Sequence, residues 1–546
     1  MSGGTTGRLL YTTSDPMARG TGNITVLAIT AVLLTVVVYE GGLGLLQLFG
    51  MEPSGNRLYP FTGTFYNPGP FACYLALSLP WALRLISNEK LVIPKTISNE
   101  QLVISNLWDS VRNELNCSLL TTNYKLQIAN CQLILSWIVV GLDAVLLPAS
   151  MSRTAWCAAV AGSVIALLGN KVILFGSRLK DVCTKNSLLP HRPSPLILHS
   201  SPSPHRPSPL TLHSSLLIII IIAICSLLIV GVYRMKQGSA DGRFLMWKVA
   251  AGAVDPHPFE GVGWQNVAGA YGMAQERYFA SGTASPGEIL VADAPEYVFN
   301  EYLQIAIAYG WGWSLLMIAV LIMAFVSAFR SGRYGIAGSV AACAVVMTAS
   351  YPFHFPLSIL TIGAICIAAF IDSGKVSKTK FNINMERRFP TTTCKRHGYL
   401  PMRLLFIAIS LGGAVFLAID CKKFDQNVLF QTGLALHKSG QWEKSNGVMM
   451  DLLHHSSDPM PLNIIGKNYT ELNMRDSAEY YLHRSTMRCP NRLYPHYLLM
   501  KLYLKEPTDS AAALREAKIL LTKKEKVPSP AIEEIRKETE RLIHNS

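Results

Sequence analysis

The chain has 546 residues, of which 50% are apolar and only 15% are charged, against about 25% charged residues in ordinary globular domains. This composition excludes an intrinsically disordered chain, a fibrous protein and a small disulfide scaffold. The formal net charge of +14 would suit a nucleic-acid-binding protein, but no basic stripe is interleaved with aromatic residues, so we expect no nucleic-acid partner. Because residues 421–546 hold 34 of the 84 charged side chains, we expect an apolar body followed by a soluble tail.

Apolar runs must reach roughly 20 residues to cross about 30 Å of hydrocarbon. Nine stretches approach this length and predict an all-α, polytopic membrane helix bundle of about nine spans. The first is too long for a cleavable signal peptide, and the seventh and eighth are short enough to form a broken pair. The predicted spans are 24–49, 68–86, 131–148, 154–176, 215–233, 303–329, 335–351, 356–372 and 403–420.

Lysine and arginine placement predicts the orientation of these spans. Residues 373–403 carry eight basic residues and a single acid, Glu386, so we expect this segment to be cytoplasmic. Alternation then places residues 176–214 inside, and it places the large loop 234–302 and the tail 421–546 outside.

Two of the predicted cytoplasmic loops contain short internal repeats. Ile86–Ile93 recurs as Ile97–Ile104, and His191–Ser201 recurs as His205–Ser215. A histidine-rich metal tract is one interpretation of the second repeat, but its histidines lack compact ligand spacing. We therefore favour tolerated insertions, stiffened in the second case by proline. The predicted insertions are residues 87–130 and 177–214.

The tail, residues 421–546, has the spacing of paired helices. Gly440–Trp442 and Asn473–Arg475 stand 33 positions apart, and a weaker third unit follows near Ser510–Ala513. This period predicts a tetratricopeptide-like helical domain, in which each helix pair packs on the next. A small helical bundle remains the alternative.

Two arginines on the predicted outer face are candidates for anion binding. Arg153 lies at a membrane edge, where its charge is costly unless it snorkels, pairs or binds an anion. Arg243 begins the large loop, and two guanidiniums on one face can clamp a diphosphate. An interfacial anchor is the alternative for Arg153. For Arg243 the alternative is an ion pair with one of three acids, Asp241, Asp255 or Glu260.

Two glycines of the large loop, Gly261 and Gly263, do not form a dinucleotide-binding fingerprint. No predicted strand precedes them, and the third glycine is absent. We expect them to let the backbone turn tightly beside a ligand.

The order of several short segments resembles the O-antigen ligase and polymerase superfamily of bacterial inner-membrane proteins. The resemblance covers roughly residues 60–372, and its segments share the predicted outer face. They are Gly63–Pro68, the pair Ser152 and Arg153, Arg243 with Trp247, His257–Trp264, Asn300–Gln304 and Tyr351–Pro356.

The resemblance implies a membrane glycosyltransferase of cell-envelope polysaccharide biosynthesis. Its donor would be an undecaprenyl-diphosphate-linked glycan, and its acceptor lipid A core, a growing chain or a protein hydroxyl. It implies the bacterial inner membrane, with the large loop and the tail in the periplasm, and no cofactor or metal. Arg153 and Arg243 would hold the diphosphate. A chain polymerase remains an alternative, as does a non-enzymatic transporter or scaffold.

The resemblance also implies which further residues to examine. Many members have a histidine where this chain has Phe299, so the base is expected at Glu301, Glu296 or His257, or is lost. Members of the superfamily usually have more spans before the segment that corresponds to Gly63–Pro68, so we expect an N-terminally shortened chain. Either the shortening or the two insertions could leave the protein inactive. We also expect contacts with membrane lipids and a protein partner through the tail. The expected substrate-binding residues are Asn67, Trp247, Gly261, Gly263, Asn300, Tyr302 and His354.

Overall fold

The computed structural model describes residues 16–88, 112–186, 237–371, 400–420, 425–505, 509–526 and 529–544. These ranges fold into α-helices joined by turns and two short 3₁₀ segments, and no strand occurs within them. The all-α prediction is confirmed for this part of the chain. The predicted fifth span and the histidine-rich repeats lie outside the described residues, as does nearly all of the basic loop after the eighth span.

Apolar sequence forms most of the helices that precede the tail. In chain order they are α1 (Pro16–Leu48), α2 (Pro68–Asn88), α3 (Arg112–Ala149), α4 (Arg153–Asn186), α5 (Gln237–Val254), α6 (Val267–Ala280), α7 (Pro286–Val291), α8 (Glu301–Tyr309), α9 (Trp311–Arg330), α10 (Tyr334–Ala349), α11 (Pro356–Phe370) and α12 (Leu400–Asp420). The tail continues with α13 (Gln426–Lys438), α14 (Trp442–His455), α15 (Met460–Glu471), α16 (Arg475–Arg488), α17 (Tyr494–Tyr503), α18 (Ser510–Thr522) and α19 (Pro530–His544).

The chain divides into two compact units. The first unit comprises residues 1–173, 318–346 and 352–420. The second unit comprises residues 174–317, 347–351 and 421–546, so it contains the large loop as well as the tail. The predicted division into a membrane domain ending at residue 420 and a separate tail domain stays a prediction.

Several described helices are apolar enough to indicate a membrane protein. Four contain stretches that are also long enough to cross a bilayer: Thr25–Leu48, Pro68–Ser87, Asn130–Ala149 and Trp311–Arg330. Four others contain shorter apolar stretches, namely Arg153–Gly169, Tyr334–Ala349, Pro356–Phe370 and Leu404–Leu417.

The predicted sixth span, 303–329, is wrong as one continuous helix, because the chain breaks at Gly310 between α8 and α9. Gly310 has a φ of +86°, which favours glycine, and a Cβ there would overlap the carbonyl group of Phe259. The Trp311 N–H leaves the helical ladder and donates to the Pro258 carbonyl at 2.9 Å. The apolar pattern runs through Gly310 without interruption, so hydropathy alone does not show the break.

The tail helices of the second unit pack on their neighbours in chain order around small apolar clusters. Gly433 on α13 lies against Met449 on α14, where an added Cβ would come within 2.6 Å of the Met449 side chain. Gly466 on α15 lies against Leu482 on α16 at the same separation. The second pair follows the first by 33 positions, and the left-handed turn residues Gly440 and Asn473 share this spacing.

The second unit also packs its tail against α6 of the large loop. Arg488 on α16 is fully buried, and its Nε lies 2.8 Å from a carboxylate oxygen of Glu276 on α6. Arg484 donates to the other oxygen at 2.9 Å. Burial lowers the pKa of Arg488, and the charge of Glu276 opposes that shift. A Cβ at Gly272 would come within 2.9 Å of the Arg488 guanidinium, so any larger residue there would require the Arg488 side chain to move.

The tail also binds the last turn of α7 and the backbone that follows it. Asn491 donates to the carbonyl groups of Leu290 and Ala292. Further on, the Lys526 Nζ lies 2.8 Å from the Asp293 carboxylate, and the Ser457 hydroxyl donates to the Pro295 carbonyl at 2.8 Å. Residues 290–295 are thus attached to the tail just before the segment that contains Phe299 and Asn300.

Candidate functional site

In the first unit, two polar side chains of α1 hold the Gly63–Pro68 segment. Glu40 accepts hydrogen bonds from the Thr64 hydroxyl at 2.8 Å and from the Thr64 N–H at 3.2 Å. Gln47 accepts from the N–H groups of Thr62 and Gly63, at 2.9 and 2.8 Å. Both side chains are buried. The sequence analysis missed them, although their seven-residue spacing in an apolar run places two polar groups on one helix face.

The same unit brings the Gly63–Pro68 segment onto the turn that contains His354. The ring of Phe65 lies 5.0 Å from that of Phe355 and 5.2 Å from that of Tyr74. His354 ends the 3₁₀ turn Pro352–His354, beside Phe355. Asn67 accepts from the Gly69 N–H at 2.8 Å, and this bond fixes the start of α2. Two predicted segments that are far apart in sequence therefore meet.

Arg153 begins α4 in the first unit, directly after a tight turn. Met151 in this turn has a φ of +51°, and the Ser150 hydroxyl accepts from the Ser152 N–H at 3.2 Å. The Arg153 side chain is half-buried. The predicted partner, Arg243, belongs to the second unit, so the joint clamp stays a prediction.

In the second unit, Arg243 lies on an aromatic cluster. Its guanidinium carbon is 5.3 Å from the centroid of the Phe299 ring, within the range of cation–π attraction. The Phe299 ring packs edge-on to Tyr351, and Tyr351 stacks on Tyr297 at 4.6 Å. Burial raises the pKa of Tyr297, so its phenol stays neutral. We name Arg243, Tyr297, Phe299 and Tyr351 the Arg243 cluster.

Trp247 holds the backbone of this cluster in an uncommon conformation. Its indole Nε1 donates to the Phe299 carbonyl at 3.3 Å, and Phe299 has a φ of +54°. A positive φ is rare for an aromatic residue, and such strain concentrates at functional sites. Trp247 lies one helical turn after Arg243 on α5, so one helix positions both the guanidinium and the Phe299 backbone.

Asn300 and Gln304 build the start of α8. The Asn300 side chain accepts from the Leu303 N–H at 3.1 Å, and Gln304 accepts from the Val298 N–H at 3.2 Å. Glu301 occupies the first helical position and is only 1% exposed. The helix N-terminus favours its negative charge. Tyr302 connects α8 to α9, since its carbonyl accepts from the Ser314 hydroxyl at 2.8 Å.

The turn that contains Gly261 and Gly263 is hydrogen-bonded to the backbone of α8. The N–H groups of Val262 and Gly263 donate to the carbonyl groups of Ile307 and Ala308, both at 2.9 Å. Gly261 has a φ of +69°, and a Cβ there would overlap the Ala308 carbonyl. These bonds satisfy carbonyl groups at the end of α8. The predicted ligand contact of the two glycines stays a prediction.

His257 is exposed in the same loop. Its Nδ1 lies 3.1 Å from the Glu260 carboxylate, and this hydrogen bond holds the Glu260 pKa below its ordinary value. The predicted alternative of an Arg243–Glu260 ion pair therefore has a competitor in His257. Within the described ranges, no group of three or more histidine, cysteine or acidic residues is arranged to hold a metal ion.

The described geometry therefore offers a fixed guanidinium beside a strained backbone and a buried carboxylate two residues further on. An arginine keeps its charge at any working pH and presents a planar fork of donors that suits phosphate oxygens. A carboxylate can accept the proton of an attacking hydroxyl. This combination fits an anionic leaving group and a hydroxyl acceptor.

Comparison with protein families gives a match to the family described as O-Antigen ligase, over residues 138–318. Comparisons with curated proteins and with solved structures gave no match. The matched region contains Arg153 and the whole of the large loop, residues 234–302, which includes Arg243. The match supports the O-antigen ligase superfamily and indicates a membrane function of the O-antigen ligase or polymerase type.

Proposed function

We propose that the protein is a membrane glycan ligase that transfers a glycan from an undecaprenyl-diphosphate carrier to an acceptor hydroxyl. The observation that carries this proposal is the Arg243 guanidinium, which lies over the ring of Phe299, the residue immediately before Asn300 and Glu301. All four residues fall within the matched region. The acceptor would be lipid A core or a protein hydroxyl.

The transfer exchanges one bond at the anomeric carbon of the glycan. The acceptor oxygen forms a bond to that carbon, while the bond to the diphosphate oxygen breaks with both electrons leaving on the diphosphate. Arg153 and Arg243 stabilise the charge that develops on this leaving group. The acceptor proton passes to a base, and undecaprenyl diphosphate is released.

Glu301 is the base that the geometry favours over the two other candidates. It is buried at the start of α8, one residue from the Asn300 cap and two from Phe299. His257 and Glu296 are exposed, and His257 already pairs with Glu260. A buried, fixed carboxylate can hold an acceptor hydroxyl in one orientation, whereas an exposed side chain samples several.

All seven predicted substrate-binding residues stay within the proposed site, four as direct substrate contacts and three as residues that shape it. Asn67 and His354 belong to two segments that meet in the first unit, while Asn300 and Tyr302 begin α8. Trp247, Gly261 and Gly263 already make structural contacts, so we assign them to shaping the site rather than to direct hydrogen bonding.

We further propose about nine spans in the bacterial inner membrane, with the large loop and the tail in the periplasm. Support comes from the basic residues predicted between the eighth and ninth spans. Reporter fusions at Gly287 and at the C-terminus should be active only with a reporter that requires export. Cytoplasmic activity at Gly287 would overturn the site assignment.

The tail is proposed to be tetratricopeptide-like and to tune acceptor choice or bind a protein partner. The matched Gly433–Met449 and Gly466–Leu482 contacts support a repeat with a period of 33 positions. Their common geometry lets two helix pairs use the same close approach.

The single most direct test is transfer of glycan from undecaprenyl diphosphate in membranes that lack the native enzyme. A deletion strain separates ligase from polymerase: carrier-linked polymer with bare acceptors indicates a ligase, and single capped repeat units indicate a polymerase. No transfer by a folded protein would contradict both.

A further inference from the structure

Three aromatic side chains are exposed at the turn where α9 begins. Phe259 is 84% exposed, Trp313 is 61% exposed and Trp311 is 38% exposed. Large apolar side chains exposed together commonly mark an interaction surface. We name these three residues the aromatic cap.

The backbone fixes the aromatic cap to the start of α9. The Trp311 N–H donates to the Pro258 carbonyl at 2.9 Å, immediately before Phe259. Gly310 lets the Phe259 backbone approach so closely that no other residue fits there. Phe259 is therefore part of the same rigid turn as Trp311, although 52 positions separate them in sequence.

The aromatic cap continues along a helix whose exposed face is apolar. Trp311, Leu315 and Ile322 follow the spacing of one helix face, and all three are exposed. The helix that carries them is one of the four described helices long and apolar enough to cross a membrane. Aromatic side chains at the end of such a helix favour the boundary between hydrocarbon and headgroups.

We propose that the aromatic cap inserts into the headgroup region of the lipid bilayer and anchors the loop 255–263 at that depth. The proposal rests on α9 crossing the membrane and does not depend on glycosyl transfer. Phe259 would act as a lipid anchor supplied by the loop, in addition to the two tryptophans of the helix itself.

This anchor also fixes the depth of α8. The anchored loop donates through Val262 and Gly263 to the last carbonyl groups of α8. Glu301 begins that helix, which at 1.5 Å per residue places it about 12 Å from the anchored end. Glu301 can therefore lie no more than about 12 Å from the depth of the anchored end of α8.

Aromatic faces also stack on sugars, and the test must separate these two ligands. Benzoylphenylalanine is introduced at position 259 of the full-length protein, which is irradiated in vesicles of phosphatidylethanolamine and phosphatidylglycerol. Two further variants carry the photoreactive residue at Leu315, on the exposed face of α9, and at Tyr480, an exposed position on α16. Mass spectrometry identifies the adducts.

We expect phospholipid acyl or glycerol adducts at positions 259 and 315 and none at position 480. Adding soluble glycan should leave the adduct at position 259 unchanged. Absence of a lipid adduct at position 259 overturns the proposal, whatever position 315 gives. Replacement of the lipid adduct by a glycan adduct would also overturn it and would assign the aromatic cap to sugar binding.

Discussion

The guanidinium of Arg243 and the ring of Phe299 face each other at 5.3 Å, although 56 positions separate them in the sequence. Phe299 replaces the histidine that the family resemblance leads one to expect, and its ring supports the arginine instead of accepting a proton. Phe299 therefore shapes the environment of the Arg243 guanidinium, which we propose binds the diphosphate leaving group. A substitution at either residue should therefore change the position of the other side chain.

The first prediction concerns the fork of Arg243. Arg243→Lys keeps the charge but loses the planar donor set, so transfer should fall about a hundredfold, equivalent to about 3 kcal/mol of transition-state stabilisation. Arg153→Lys should behave likewise. Arg277→Lys, an exposed change in the same loop, is the matched control and should retain activity. Initial transfer rates in membranes measure all three. Unchanged rates for both Arg243→Lys and Arg153→Lys would contradict joint binding of the donor diphosphate by the two arginines.

The second prediction concerns the base. Glu301→Gln preserves shape and removes the proton acceptor, so it should abolish transfer while the protein still inserts. Glu260→Gln changes an exposed carboxylate of the same loop and should have little effect. If Glu301→Gln is active and Phe299→His is faster than the parent, the base is missing from this chain rather than located at Glu301.

The sequence predicts the helical, membrane-embedded character well, because the hydropathy of a single span is a local property of the chain. The sequence also predicts a substrate-binding role for Asn300, which stays a prediction, and the structure adds that this side chain caps α8. It does not predict the break at Gly310, since the carbonyl group that requires a glycine belongs to Phe259, far along the chain. The sequence does not predict the ion pair between Glu276 and Arg488 either, because 212 positions separate the two residues.

The third prediction compares two glycines that both have a positive φ, Gly261 at +69° and Gly263 at +86°. Alanine at Gly261 or Gly263 should cost about 1–3 kcal/mol from the sparsely populated backbone conformation alone. At Gly261 the Cβ also overlaps the Ala308 backbone, which adds about 1–3 kcal/mol, whereas at Gly263 the nearest side-chain atom is 3.8 Å away. Thermal unfolding in detergent should therefore rank Gly261→Ala below Gly263→Ala. Equal midpoints would mean that the loop does not lie on α8.

The fourth prediction concerns the buried ion pair between the tail and α6. Arg488→Ala leaves Glu276 with only Arg484 in a buried site and should destabilise the second unit by about 3–5 kcal/mol. Lys501→Ala removes an exposed pair with Glu538 and should cost less than about 1 kcal/mol. Limited proteolysis should release the tail from the Arg488 variant first. Equal resistance of both variants would contradict the docking.

The fifth prediction concerns pH. The Ser285 backbone N–H and then Lys248 lower the pKa of Glu288 from 4.5 to about 2. A lowered pKa stabilises the folded state above pH 4.5, and the contribution is lost as the pH falls toward 2. The melting-temperature difference between wild type and Glu288→Gln should therefore shrink over this range. A difference that stays constant would show that the carboxylate does not make these bonds.

The attachment of residues 290–295 to the tail has a practical consequence for anyone who shortens the protein. A chain that ends at residue 420 would lose the donors of Asn491, Lys526 and Ser457 along this segment. It would also expose Glu276, which would lose Arg484 and Arg488. Activity lost on such a truncation would therefore reflect a misplaced Phe299 as readily as a missing binding surface. Adding the purified tail back in trans would distinguish these two causes.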